Sequence, residues 1–216
     1  MVYALYVFDL DGTLVDSRRD IAESANELLE TCGASALPEE VVGRMVGNGA
    51  PDLVARAFAA AAIEPPADAL ERFLRIYDRR LLAHTRPYVG IPEVLEALQV
   101  RAPLAVLTNK PLAATRSVLD GLGLARFFDA DAVVAGDGAF GRKPDPAGLQ
   151  HLSSRAGVQP GATLLVGDSL VDWQTARNAA APVCLARYGF GFEDFPVQRL
   201  GPADHLIERP YDLLVL

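Results

Sequence analysis

The chain has 216 residues, half of them hydrophobic and 22% charged, with a formal net charge of −8 and an isoelectric point near 4.9. That size suits one globular domain, or one domain carrying a smaller insert. The acidic balance argues against nucleic acid as a partner, no apolar run approaches the ~18 residues of a membrane span, and the N-terminus lacks a signal-type pattern; the expectation is a cytoplasmic protein, monomer or homodimer.

In chain order, an apolar run at residues 2–8 reads as a buried parallel strand. It stops abruptly at Asp9 and Asp11, followed by Gly12, Thr13 and a third acid, Asp16. From residue 15 to residue 86 no strand is expected. Ile21, Ala25, Leu28, Leu29 and Cys32 recur at helical spacing, and 41–46, 53–62 and 70–82 also read as helices, broken by "ALPEE" and "EPPAD". Beyond "TRPYVG" strands are expected at 104–107, 163–166 and 183–186, with a weaker one at 132–135. Helices are expected at 111–122, 146–156 and 170–180. Alternating strand and helix means βα units and a parallel sheet. The architecture that follows is an α/β core of residues 1–14 and 88–216 with a helical cap, 15–87, inserted after the first strand. The connections near Asp16 and Pro87 would form its hinge.

Cys32 and Cys184 have no metal-ligand spacing and read as buried free thiols. His84, His151 and His205 are scattered. Lysine is more informative. Of 20 basic residues only Lys110 and Lys143 are lysines, and both fall in loops after expected strands. A compact ammonium is not interchangeable with a guanidinium.

In open parallel sheets, ligands sit beyond the carboxyl ends of the strands. Here those ends carry Asp9 and Asp11, then Thr108 and Asn109, then Asp168 and Asp172 of "GDSLVD". Lys143 follows the weak strand, in "RKPDP". Converging carboxylates repel one another. A divalent cation with a taste for hard oxygen ligands and phosphate, Mg²⁺, relieves that. An aspartate beside it can attack phosphorus and form an aspartyl-phosphate. A second can move the proton, and a lysine can balance the developing charge.

"DLDGTLVDS", "LTNK", "RKPDP" and "GDSLVD", in this order, resemble the motifs of the haloacid dehalogenase superfamily, in its branch with a helical cap after the first strand. The resemblance spans essentially the whole chain. "VGNGAPDLVARAF", "TNKP" and "FGRKPDP" are similar to the phosphoglycolate phosphatases. The resemblance implies a Rossmann-like core, with Asp9 as nucleophile, Asp11 as general acid/base and Lys143 as charge balance. It implies Mg²⁺ held by the Asp9 carboxylate, the Asp11 backbone carbonyl and Asp168. Asp172 would hold a metal-bound water or the lysine. Thr108 and Asn109 would take phosphate, and Thr108 could also cap the helix that follows, the two roles being compatible. The "GNGAP" loop would either face the core site, where Arg44 and Asn48 would meet the rest of the substrate, or serve only as a turn between helices. The implied partner is a small phosphorylated metabolite, 2-phosphoglycolate first. A β-phosphoglucomutase, a pyrophosphatase or nucleotidase, and a non-catalytic regulatory protein share the same build. The cap lacks the Schiff-base lysine that a phosphonoacetaldehyde hydrolase needs, and a dehalogenase would not need Asp11. Trp173, after the last acid, departs from the small aliphatics common there. "GDGAFGRK" looks like a P-loop, but Arg142 intervenes before the lysine and Pro144 follows it.

Overall fold

The computed structural model describes residues 3–193 and 195–216; Val2, at the head of the first expected strand, lies outside them. Six strands form one parallel sheet: β1 (Leu5–Phe8), β4 (Leu104–Leu107), β5 (Val133–Val134), β6 (Thr163–Gly167), β7 (Val183–Ala186) and β8 (His205–Ile207). Their spatial order is β5-β4-β1-β6-β7-β8, which sets β1 between β4 and β6. Side chains alternate across this sheet as the pleat requires. Tyr6, Phe8, Val106 and Val166 enter one apolar cluster, and Leu5, Val7, Leu107 and Leu165 enter another on the opposite face.

Helices cover both faces. α5 (Ile91–Gln99) and α6 (Leu112–Gly121) pack on the Phe8 side through Ile91, Leu95, Val118 and Leu119. α7 (Ala147–Arg155) and α8 (Leu170–Asn178) pack on the Val7 side through Leu149, Leu152 and Ala176. Both faces are apolar and covered, which is why the strands read as unbroken hydrophobic runs.

Between β1 and β4 lies the helical insert: α1 (Arg18–Thr31), α2 (Glu39–Gly43), α3 (Ala50–Ala60) and α4 (Ala69–Arg80). The two chain crossings into and out of it pair with each other. β2 (Val15–Asp16) and β3 (Arg86–Pro87) form a two-residue antiparallel ribbon. Just inside it, Asp20 is fully buried. It accepts hydrogen bonds from the backbone N–H groups of His84 and Thr85 and from the Thr85 hydroxyl, the last two at 2.7 Å. One carboxylate therefore ties the start of the insert to its end.

The expected strands at 104–107 and 183–186 match β4 and β7 residue for residue, and the others differ only at their ends. β8, α5 and the β2–β3 ribbon come in addition to the expected elements. Cys184 is buried as expected, whereas Cys32, at the end of α1, is only half-buried.

Candidate active site

Asp9 directly follows β1, and its backbone N–H extends the ladder to Val166 at 2.8 Å. The turn after it is built on Leu10, whose carbonyl accepts from the N–H groups of Thr13, Leu14 and Val15. Gly12 adopts φ +87°, and a Cβ there would strike the Asp168 carboxylate. A glycine at this point is what lets the first and last acidic loops close on each other.

The loop after β6 is fixed by its own acids. Ser169 is the N-cap of α8 and forms a capping box with Asp172. The Asp172 carboxylate uses both oxygens. One accepts from the Ser169 hydroxyl at 2.6 Å and from the N–H groups of Ser169 and Asp168, and the other accepts from the Lys143 ammonium at 2.6 Å. Lys143 is buried and also lies 2.8 Å from Asp9. Its backbone is held by Asn109, whose side-chain oxygen accepts from the Lys143 N–H at 2.8 Å while its amide donates to the Lys143 carbonyl at 2.9 Å. The P-loop likeness of residues 136–143 ends here, because α7 begins only at Ala147.

Asp9, Asp168 and Asp172 are buried and offer carboxylate oxygens within 4.8 Å of one another. One ammonium among three carboxylates leaves room for two further positive charges. The cost of this arrangement shows in the acids. Burial pushes the Asp9 carboxyl up to about 7, against the pull of Lys143 and with help from Asp172. Burial, with Asp172 and Asp9 adding to it, likewise holds Asp168 well above the usual carboxylate range. Lys143 stays charged: burial disfavours its ammonium, but Asp172 and Asp9 outweigh burial. The donor set fits a small divalent cation. Asp9 and Asp168 have oxygens to offer it, whereas Asp172 is already bonded through both oxygens to Lys143 and the α8 turn. That favours the lysine-holding role for Asp172 over direct ligation.

A cavity of about 390 Å³ opens over Asp9 and Asp11. Thr108, Asn109 and Lys110 line its core side, and Gly47, Leu53, Phe73 and Tyr77 of the insert line the other. Thr108 does not cap α6, whose N-cap is Pro111. The glycine loop does face the core, but through its backbone: the Gly47 carbonyl accepts from the Asn109 amide at 2.8 Å. The side chains of Arg44 and Asn48 do not line the cavity. Arg44 instead reaches Glu193 at 3.2 Å, and Asn48 donates to Asp52 at 3.0 Å. Trp173 packs against Phe195 on the far side of α8's acidic turn.

The Asp11 carboxylate points away from the three-acid cluster. It accepts from the Ser17 hydroxyl at 2.6 Å and from the Lys110 ammonium at 3.0 Å to each oxygen. Lys110 also donates to the Tyr77 hydroxyl. Neither Lys110 nor Tyr77 was assigned a role by sequence reasoning. The rarity of lysine was a usable signal for the first; the second was hidden in an ordinary helical stripe.

Comparison with known proteins completes the picture. The family model for haloacid dehalogenase-like hydrolases matches residues 6–186. The chain belongs to the haloacid dehalogenase-like hydrolases. Among curated members of that family, a phosphoglycolate phosphatase of Rhodospirillum rubrum is 43% identical over 205 residues, covering 90% of this chain and 83% of that one. The phosphoglycolate phosphatase of Agrobacterium fabrum is 38% identical, covering 92% and 85%. Among solved haloacid dehalogenase-like structures, that of a predicted phosphoglycolate phosphatase from Haemophilus somnus superposes with a TM-score of 0.90 at 31% identity, over 100% of this chain and 98% of that one.

Proposed function

We propose that this hydrolase is a Mg²⁺-dependent phosphomonoesterase that converts 2-phosphoglycolate to glycolate and phosphate in the cytoplasm. The observation that carries the reading is the buried centre in which Lys143 bridges Asp9 and Asp172 beside Asp168, under a cavity that the helical insert lines on its far side. The naming of its relatives supports the substrate. Among the described residues, no helix is long and apolar enough to cross a membrane.

In this reading residues 15–87 are the cap and residues 1–14 and 88–216 the core. Asp9 attacks phosphorus in line with the ester oxygen; the P–O bond to the glycolate moiety breaks as the Asp9 acyl phosphate forms. Asp11 delivers the proton to the leaving oxygen, then takes one from water as that water attacks phosphorus and releases Asp9. Lys143 stays fixed by Asp172, so the positive charge beside Asp9 needs no rearrangement during the reaction. Thr108, on the core wall of the cavity, would hold a phosphoryl oxygen. Asn109 supports the site by gripping the Lys143 backbone and Gly47. Asp9 and Asp168 would hold Mg²⁺, which shields the incoming phosphate from the carboxylates and withdraws charge from phosphorus. The test is phosphate release from a panel of phosphorylated metabolites with and without Mg²⁺. We expect turnover only with the metal, and fastest with 2-phosphoglycolate; equal rates on unrelated sugar phosphates would remove the specific substrate.

The raised carboxyls give a second, independent check on the metal. Asp9 is protonated in the folded protein up to about pH 7, but in the unfolded chain it ionises near 3.8. The native state therefore binds the extra proton between these values, and metal-free stability declines as pH rises through that window. A cation binds the ionised carboxylates, so its stabilisation grows over the same window. Melting temperature at about pH 5 and about pH 8, each with and without Mg²⁺, should show the larger Mg²⁺ shift at the higher pH. A shift that is equal at both, or larger at the lower, contradicts the assignment.

A further inference from the structure

The cavity contains a cation that the phosphoryl chemistry above leaves without a task. Lys110, two residues beyond Thr108, is buried, and its ammonium sits between a core carboxylate and the cap: 3.0 Å from both oxygens of Asp11, on the Tyr77 hydroxyl, and 4.5 Å from the centroid of the Tyr77 ring. Burial disfavours its charge, but Asp11 and Tyr77 outweigh burial, so the ammonium persists. The other cation on the cavity wall, Arg75, is exposed and lies 3.5 Å from Glu71. Lys143 is taken up by Asp9 and Asp172.

Tyr77 completes a donor pair. Its oxygen accepts from Lys110, and among the described residues its own hydrogen has no protein acceptor. Burial pushes the phenol up to about 12, so it remains a neutral donor. The three N–H groups of Lys110 are directed at the two Asp11 oxygens and at Tyr77, so an anion on this wall meets the free O–H of Tyr77 and, behind it, the positive charge of the Lys110 ammonium. Lys110 touches the same Asp11 that serves the ester oxygen. The anion it meets must therefore lie close to that oxygen in the substrate.

We infer that Lys110 and Tyr77 together bind a carboxylate that the substrate carries next to its phosphate ester, making this pair the specificity element in the place expected of Arg44 and Asn48. The inference rests on the phosphomonoesterase reading, which already names 2-phosphoglycolate, and adds the residues that would recognise the carboxylate of such a substrate. Because Tyr77 belongs to α4, carboxylate recognition also requires the cap to be docked on the core.

The experiment compares 2-phosphoglycolate with ethyl phosphate, in which a methyl replaces the carboxylate, for the wild type, Tyr77→Phe and Lys110→Met, all with Mg²⁺. A hydrogen bond to a charged partner accounts for about 10- to 100-fold in affinity. Tyr77→Phe should raise KM for 2-phosphoglycolate about tenfold, and Lys110→Met should raise it more. The corresponding losses on ethyl phosphate should be at least about tenfold smaller. Equal losses on both substrates would mean that the pair acts only by placing Asp11, and would overturn the inference. A wild type that hydrolyses both substrates equally well would also overturn it while leaving the phosphomonoesterase reading intact. A wild type that hydrolyses neither overturns both. Tyr77→Phe keeps the buried ring, so a melting temperature close to the wild type's ensures that the comparison concerns recognition.

Discussion

Asp9→Asn abolishes phosphate release, by roughly 10⁴-fold or more, without lowering the melting temperature of the metal-free protein. The two halves of this expectation have separate causes. The amide has no oxygen nucleophilic enough to form the acyl phosphate, so the reaction loses its first bond. The fold, in contrast, loses little. The asparagine oxygen can still accept from the Leu10 N–H, which lies 2.7 Å from Asp9. Lys143 keeps its shorter bond, to Asp172. A neutral side chain at this buried position also escapes the desolvation that raises the Asp9 carboxyl. Malachite-green phosphate assays paired with thermal melts check both halves. Substantial residual turnover would remove Asp9 from the nucleophile's role, and a collapse in melting temperature would show that the lost activity came from unfolding.

Lys143→Met should have the largest effect on stability. It leaves Asp9 and Asp172 buried without their shared cation; breaking a buried ion pair in this one-sided way costs about 3–5 kcal/mol. Methionine fills most of the lysine's volume, so the loss reports charge more than packing. Two further measurements separate this account from a generic core defect. Mg²⁺ should recover part of the loss, because it returns positive charge to Asp9, one of the two carboxylates the substitution leaves unpaired. Adding Asp172→Asn should cost less in the Lys143→Met background than in the wild type, because the two side chains are bonded and their effects are not additive. Chemical denaturation with and without Mg²⁺ gives both numbers. Strictly additive losses would refute the coupling.

Much of this arrangement is legible in the sequence, for identifiable reasons. β1, β4 and β6 are buried on both faces, so their residues form largely apolar runs that end where polar side chains begin. Asp9, Thr108 and Asp168 at those ends are visible because nothing in the packing of a strand calls for them. β8 was not legible because it is a three-residue edge strand with a histidine in it, only half-buried at two of its three positions. The β2–β3 ribbon is too short for any periodicity. The Lys110–Tyr77 contact joins residues 33 apart across the cap and the core, and no local pattern encodes where two such units meet. Arg44 and Asn48 show the complementary case. Their loop does approach the core, but its glycines make the approach, and in this structure the two polar side chains pair with Glu193 and Asp52 outside the cavity.

The β2–β3 ribbon has an evolutionary corollary. Because the outgoing and returning chains run side by side, with Val15 opposite Pro87, the insert is grafted at what amounts to a single point. A different four-helix unit, or a shorter one, could be spliced there without moving Asp9 on one flank or β4 on the other. The residues that the core contributes to the cavity, such as Asp9 and Lys110, and those that the insert contributes, such as Tyr77, can thus diverge on separate schedules.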